Sequence, residues 1–479
     1  MDFSSLSFLF IFLPIFLSIY LLAKPEYRPV IIFLANISFI IEAQFSNLLW
    51  LAIITTTGYL TGRLIEFVLK NNGNPAVVVT AGIGLNLAIL VFFKTMSTYG
   101  GYGAIKDYAH NAEDFSVPVG LSYIIFQILA YIIDISRNTI FAEKNLFKFA
   151  SYILFFPKLI SGPITKYKTF EQQIALLNPS TDEIANGIRQ ILKGVIKRVL
   201  VANQIGMVAD AVFNLPSPSV SPFFAWLGLT AYTIQIYFDF SGYTDIALGL
   251  GTLIGIKLPQ NFNYPYIAQS ISDFWRRWHI TMSSWFREYV FYPLERRRKF
   301  QMGNQQINLL VVFLLTGFWH GPTLNFLVWG GLHGLAIALE STSAGRWMKK
   351  LWPPVRHLYT ITIVMLGWVF FRSPSINFAI HFISRLLGNT DNLIVLPFSQ
   401  TSPLPFIEPS FIFILAAGIL FSLPVTNLWC SFQRILEVKN SKLFVLSQLI
   451  ADILIWSLFA LSIAAQVSGS FRPNIYAQF

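Results

Sequence analysis

Three histidines stand in segments where an imidazole could do work. His320 lies in TGFWHGP, next to Trp319, on a bend between two short apolar runs at 307–319 and 324–340. A neutral imidazole there could take a proton from a hydroxyl as a general base, an effect worth roughly 10² to 10⁴ in rate. It could equally be a packing histidine between two helices, and the pattern alone leaves both readings open. The first run rises only about 20 Å as a helix, short of a hydrocarbon core of roughly 30 Å. The bend is therefore expected to lie recessed below the outer surface. An ionisable side chain at that depth is costly and points to a cavity or a partner. His333, in WGGLHG, reads as structural, because the glycines allow close helix approach.

The third histidine, His279, sits in DFWRRWHITMSSWFREYVFYPLERRRK, residues 273–299. Read as one helix, this segment carries Trp275, Trp278, Met282, Trp285 and Tyr289 on an apolar seam. Arg276, His279, Ser283 and Arg287 form a second stripe, and Arg296, Arg297, Arg298 and Lys299 close the segment. Two readings stand together: an amphipathic helix anchored at the headgroups, or a face whose guanidiniums hold the phosphates of an anionic donor. The three histidines are far apart, with no HxxxH or HExxH spacing and no cysteine pair, which argues against a bound metal. His110, His357 and His381 read as ordinary surface residues. In YFDFSGYTD, Asp239, Tyr243 and Asp245 fall where a span is expected to end at a glycine break. There a carboxylate could orient an imidazole or cap the helix. In FPKLISGPITKYK the prolines and Gly162 predict a re-entrant turn, with Lys158, Lys166 and Lys168 adding positive charge to the cytoplasmic face.

The elements that must position these residues follow from composition. Of the 479 residues 54% are hydrophobic and only 12% charged, against the roughly 25% charge of a soluble chain. Apolar runs recur throughout, so the expected fold is an all-α polytopic membrane protein. Twelve spans are expected, at about 6–23, 29–41, 47–60, 76–93, 117–135, 195–212, 223–240, 307–319, 324–340, 357–372, 411–428 and 444–466. Asp2 precedes the first run, with no basic residue and no small-residue cleavage site, so that run reads as a retained span. With the N-terminus outside, only Lys94, Lys106, Arg372, Arg385 and Arg472 of the 34 Lys and Arg fall on the outer side. That asymmetry matches the positive-inside rule and explains the net charge of +11 without nucleic acid. The single cysteine, Cys430, excludes an internal disulfide and reads as a packing residue. Residues 1–135 read as scaffold spans, 136–340 as the motif-bearing core, and 341–479 as further spans with an outer loop at about 373–410.

FPKLISGPITKY, YFDFSGYTDIALGLG, FWRRWHITMSSWFREYVFYPL and TGFWHGPTLNFLVWGGLHG, in that order over about 118–340, together resemble the membrane-bound O-acyltransferase superfamily. Within it they are similar to the bacterial alginate O-acetyltransferase branch, as is the closing FRPNIYAQF. The resemblance implies about eleven spans with re-entrant helices around a funnel, where a cytoplasmic thioester, acetyl-CoA, meets an extracytoplasmic polysaccharide hydroxyl. It maps the catalytic histidine onto His320 and a second family position onto His279. Arg276, Arg287, Ser283 and Lys158 are then expected at the donor, supported by Asp239, Tyr243, Asp245, Trp319 and His333. No permanently bound cofactor is implied. It also implies a periplasmic partner resembling SGNH hydrolases and a place in the bacterial inner membrane. Two alternatives remain: D-alanyl transfer to teichoic acid, as in a related branch, and lipid or saccharide transport, for which no repeated half with broken helices is seen.

Overall fold

A backbone in hydrocarbon must satisfy its own N–H and C=O groups, and this chain does so with helices. The computed structural model describes residues 2–99, 117–297, 304–394 and 408–470, and all regular elements among them are helical. His110, Lys106, Arg298, Lys299, Arg472, the middle of the outer loop and the closing FRPNIYAQF lie outside the described residues.

Among the described residues four helical stretches, Pro25–Lys70, Ala76–Thr98, Pro353–Arg372 and Ser441–Gly469, are by length and composition able to cross a membrane. Pro409–Phe421 and Val425–Lys439, bent by 64°, make a fifth if the pair is one span. Their outer faces are exposed leucine, isoleucine, valine and phenylalanine, a surface that suits lipid and not water. Pro25–Lys70 joins two of the expected runs, and three others fall on the shorter apolar helices Phe8–Leu22, Leu121–Ser136 and Leu324–Glu340.

The helices that build the interior run in chain order as follows. Ala76–Tyr99 is α1 and Leu121–Ser136 is α2. Thr181–Ile196, α3, opens with a capping box between Ser180 and Glu183. It continues through a π-helical turn, Lys197–Asn203, into Gln204–Phe213, so the expected 195–212 span is only the second half of a longer helix. Pro222–Ile254, α4, has 33 residues, is buried over most of its length, and ends on Gly255 at φ 88°. It does not break at Gly242 as expected. That glycine lies against the Gly194 carbonyl of α3, which an added Cβ would approach to 2.8 Å, and Gly187 meets Gly249 in the same way. Small residues here let two backbones touch.

Next come Ile271–Arg277, α5, and Ile280–Phe286, α6, followed by π-helical Arg287–Phe291. The expected single helix over 273–299 is therefore broken. Trp278 is extended and His279 is left-handed at φ 44°. The break is held from outside: Ile280 N donates to Asn261 O at 3.0 Å and Asn263 N to Arg277 O at 2.9 Å. The five residues of the apolar seam are all buried, so that face packs into the bundle, whereas Arg276, Arg287, Arg296 and Arg297 are exposed. Asn304–His320, α7, and Leu324–Glu340, α8, form a hairpin, and Pro353–Arg372, α9, packs beside it.

Candidate active site

The α7–α8 hairpin places His320. Its two arms meet through glycine, because a Cβ on Gly330 would come within 2.3 Å of Phe313 O and one on Gly317 within 2.3 Å of Phe326 O. His320 is the last residue of α7, at the bend expected from the sequence, and is 5% exposed. Its ring is boxed by Trp319 at 4.6 Å, Phe371 at 5.0 Å, Trp329 at 5.1 Å and Phe326 at 6.0 Å between centroids. Lys94 of α1 donates to the His320 carbonyl at 3.2 Å and lies over the Trp319 ring. Gly330→Leu is expected to force the arms apart and displace the imidazole. Crosslinking between cysteines placed across the hairpin should show the separation, together with loss of transfer; an unchanged crosslink pattern would refute it.

His279 faces the same interior from the broken segment and is fully buried. Tyr123 of α2 lies between the two histidine sites, with ring centroids 6.2 Å from His279 and 6.0 Å from Trp319. His333 is also fully buried, accepts from Trp275 Nε1 at 3.3 Å, and shares Trp329 with His320.

The break at Trp278 and His279 separates the expected basic stripe. His279 turns inward, whereas Arg276, Ser283 and Arg287 line a cavity of about 400 Å³ on the other side of the segment. The inner wall of that cavity includes Trp275 and Phe313, both of which pack on His333. One layer of aromatic side chains thus stands between the cavity and His333, and a second ring, Trp329, lies between Trp275 and His320. Glu340, at the end of α8, also lines the cavity and caps α5 in trans, accepting from Ile271 N at 2.6 Å and Ser272 N at 2.9 Å. Lys158 departs from expectation. It is fully buried on the four-residue helix Phe156–Leu159, its Nζ is 3.8 Å from the Tyr152 ring centroid, and it has no hydrogen-bond partner among the described residues.

Asp239 does not cap a helix end. It lies mid-helix, paired with Arg198 at 3.1 Å. Asp245 pairs with Lys197 at 2.6 Å, and Tyr243 stacks on Phe3 at 5.0 Å. These three residues tie α3 and the N-terminal segment to α4. Sequence reasoning missed Tyr123, Asn261 and Glu340, and took Lys94 only as an outer charge. The one signal for Asn261 was its place in the irregular stretch NFNYPY.

The signature of the membrane-bound O-acyltransferase family matches residues 85–378. The chain belongs to that family and is a membrane O-acyltransferase, which sets the transport reading aside. It is similar to the probable alginate O-acetylase AlgI of Pseudomonas putida, with 36% identity over 397 residues, covering 81% of this chain and 80% of the relative. The peptidoglycan O-acetyltransferase of Helicobacter pylori is 32% identical over 338 residues, 64% of each chain. The teichoic acid D-alanyltransferase of Bacillus subtilis is 30% identical over 272 residues, covering 54% of this chain and 67% of the relative.

Proposed function

We propose that this chain is an O-acetyltransferase of the bacterial inner membrane that moves acetyl from cytoplasmic acetyl-CoA toward an extracytoplasmic polysaccharide hydroxyl. The transfer runs directly or through a periplasmic partner resembling SGNH hydrolases. The observation that carries the reading is the placement of a buried imidazole, His320, behind Trp329 and Trp275, the second of which lines a cavity edged by Arg276 and Arg287. Relatives named for acetyl transfer to alginate and to peptidoglycan support the group and the acceptor class.

In this mechanism His320 takes the acceptor hydroxyl proton as the oxygen attacks the thioester carbon. The tetrahedral oxyanion then collapses, the C–S bond breaks, and the departing thiolate takes the proton back from the imidazolium. Arg276 and Arg287 hold the donor by charge-assisted contacts. Arg276→Ala with Arg287→Ala is expected to raise the donor KM by about tenfold or more, the scale of losing one or two hydrogen bonds to a charged group, and to change kcat far less. Steady-state kinetics with labelled acetyl-CoA on protein in proteoliposomes measures this; an unaltered KM would remove the donor from this cavity. The same assay with a D-alanyl carrier thioester tests the second reading, which the Bacillus subtilis relative favours. Turnover only with the aminoacyl donor would replace the acetyl assignment.

A further inference from the structure

His279 is held in a way that fixes which of its nitrogens carries hydrogen. The backbone N–H of Thr281 can only donate, and it meets the Asn261 side chain at 3.1 Å, with Thr281 Oγ1 on the same atom at 2.8 Å. That atom is therefore the carboxamide oxygen, whichever way an amide might otherwise be turned. His279 Nδ1 lies 3.2 Å from it. A carbonyl oxygen only accepts, so Nδ1 must be the protonated nitrogen, and a neutral imidazole then has its lone pair on Nε2. Nε2 faces the Tyr123 hydroxyl at 3.4 Å, which in this tautomer donates to it.

The local backbone supports the same role. A residue with a Cβ in the left-handed region costs of order 1 kcal/mol, and His279 holds it at φ 44° while Asn261 grips the residues just after it, through its side chain to Thr281 and its backbone to Ile280, and Asn263 N holds Arg277 O before it. Asn261 is itself 1% exposed, and its Nδ2 has no hydrogen-bond partner among the described residues. An amide kept only to join two segments would use both ends. This one is used through its oxygen.

We infer that Asn261 is a positioning residue that locks His279 as the Nδ1–H tautomer. His279 then serves acyl transfer as a hydrogen-bond acceptor at Nε2, receiving Tyr123 or the substrate hydroxyl that displaces it, and not as a donor that polarises the thioester carbonyl. The inference rests on the acyl-transfer reading for its consequence, but the tautomer can be read without turnover. The experiment is ¹⁵N solid-state NMR of histidine-labelled protein in bilayers, with His279→Gln used only to identify the His279 signals. The wild type is expected to show a neutral Nδ1–H ring. Asn261→Leu is expected to lose that signature and about 10²-fold or more in kcat, by analogy with the loss on mis-setting a catalytic tautomer. Asn261→Asp keeps the accepting oxygen and is expected to restore the tautomer and most of the rate, which also answers the case where the leucine variant does not fold. A wild-type Nε2–H ring, or full turnover in folded Asn261→Leu, overturns the inference. Wild-type protein with the inferred tautomer but no transfer from any thioester would uphold the positioning and overturn the acyl-transfer reading instead.

Discussion

His320→Ala is expected to leave a folded, membrane-inserted protein whose acyl transfer falls by about 10² to 10⁴, the range supplied by a positioned general base. The geometry argues for so large an effect. His320 is the last residue of α7, boxed by four aromatic rings, so water has little access and the imidazole cannot be replaced by solvent hydroxide. The imidazolium formed when it takes a proton would sit at a helix C-terminus, where a cation is favoured by roughly 0.3 to 1 kcal/mol. His320→Gln keeps much of the volume and removes the base, separating chemistry from packing. Both variants should match the wild type in gel-filtration profile and thermal midpoint to within a few degrees while losing turnover. Purified His320→Ala with wild-type turnover would end the assignment.

The position of this residue was legible from sequence for a simple reason. Gly317, Gly321 and Pro322 interrupt an apolar run, and such an interruption has few explanations inside a membrane. The hairpin's second arm even has the expected bounds, 324–340. Gly242 misled in the opposite direction. A glycine in a span can mark a break or a close contact, and only the partner, Gly194 on the preceding helix, decides which. The segment 273–299 misled because tryptophans at helical spacing satisfy the pattern of one amphipathic helix even when an extended residue and a left-handed one divide it. The device that divides it, Asn261, acts from outside the segment and leaves no periodic trace. Lys158 reads from sequence as a charge on the cytoplasmic face and at the donor, and nothing local announces that Tyr152 and Phe170 will cover it.

Asp239→Ala is expected to destabilise the protein by about 3 to 5 kcal/mol, because it leaves a buried guanidinium short of a partner. Arg198 is 1% exposed and sits on the π-helical turn between Thr181–Ile196 and Gln204–Phe213. It donates to Asp239 at 3.1 Å, to Asp2 at 2.5 and 3.2 Å, and to Ser4 Oγ at 2.7 Å. Asp2 is partly open to solvent and can be rehydrated, whereas Asp239 has almost no exposure, so the loss falls hardest on the Asp239 side. The consequence reaches the active site, because Phe240, the next residue, packs edge-on against His279 at 4.8 Å. Asp239→Ala should therefore lower the thermal midpoint in detergent by several degrees and reduce turnover together with it. Asp239→Leu combined with Arg198→Met removes both buried charges and should recover much of the midpoint, since replacing a buried pair with apolar side chains of similar size is often neutral or better. An Asp239→Ala protein as stable as the wild type would show that Asp2 alone satisfies Arg198. A double variant no better than the single one would show that the packing of Asp239, and not its charge, holds α4 in place.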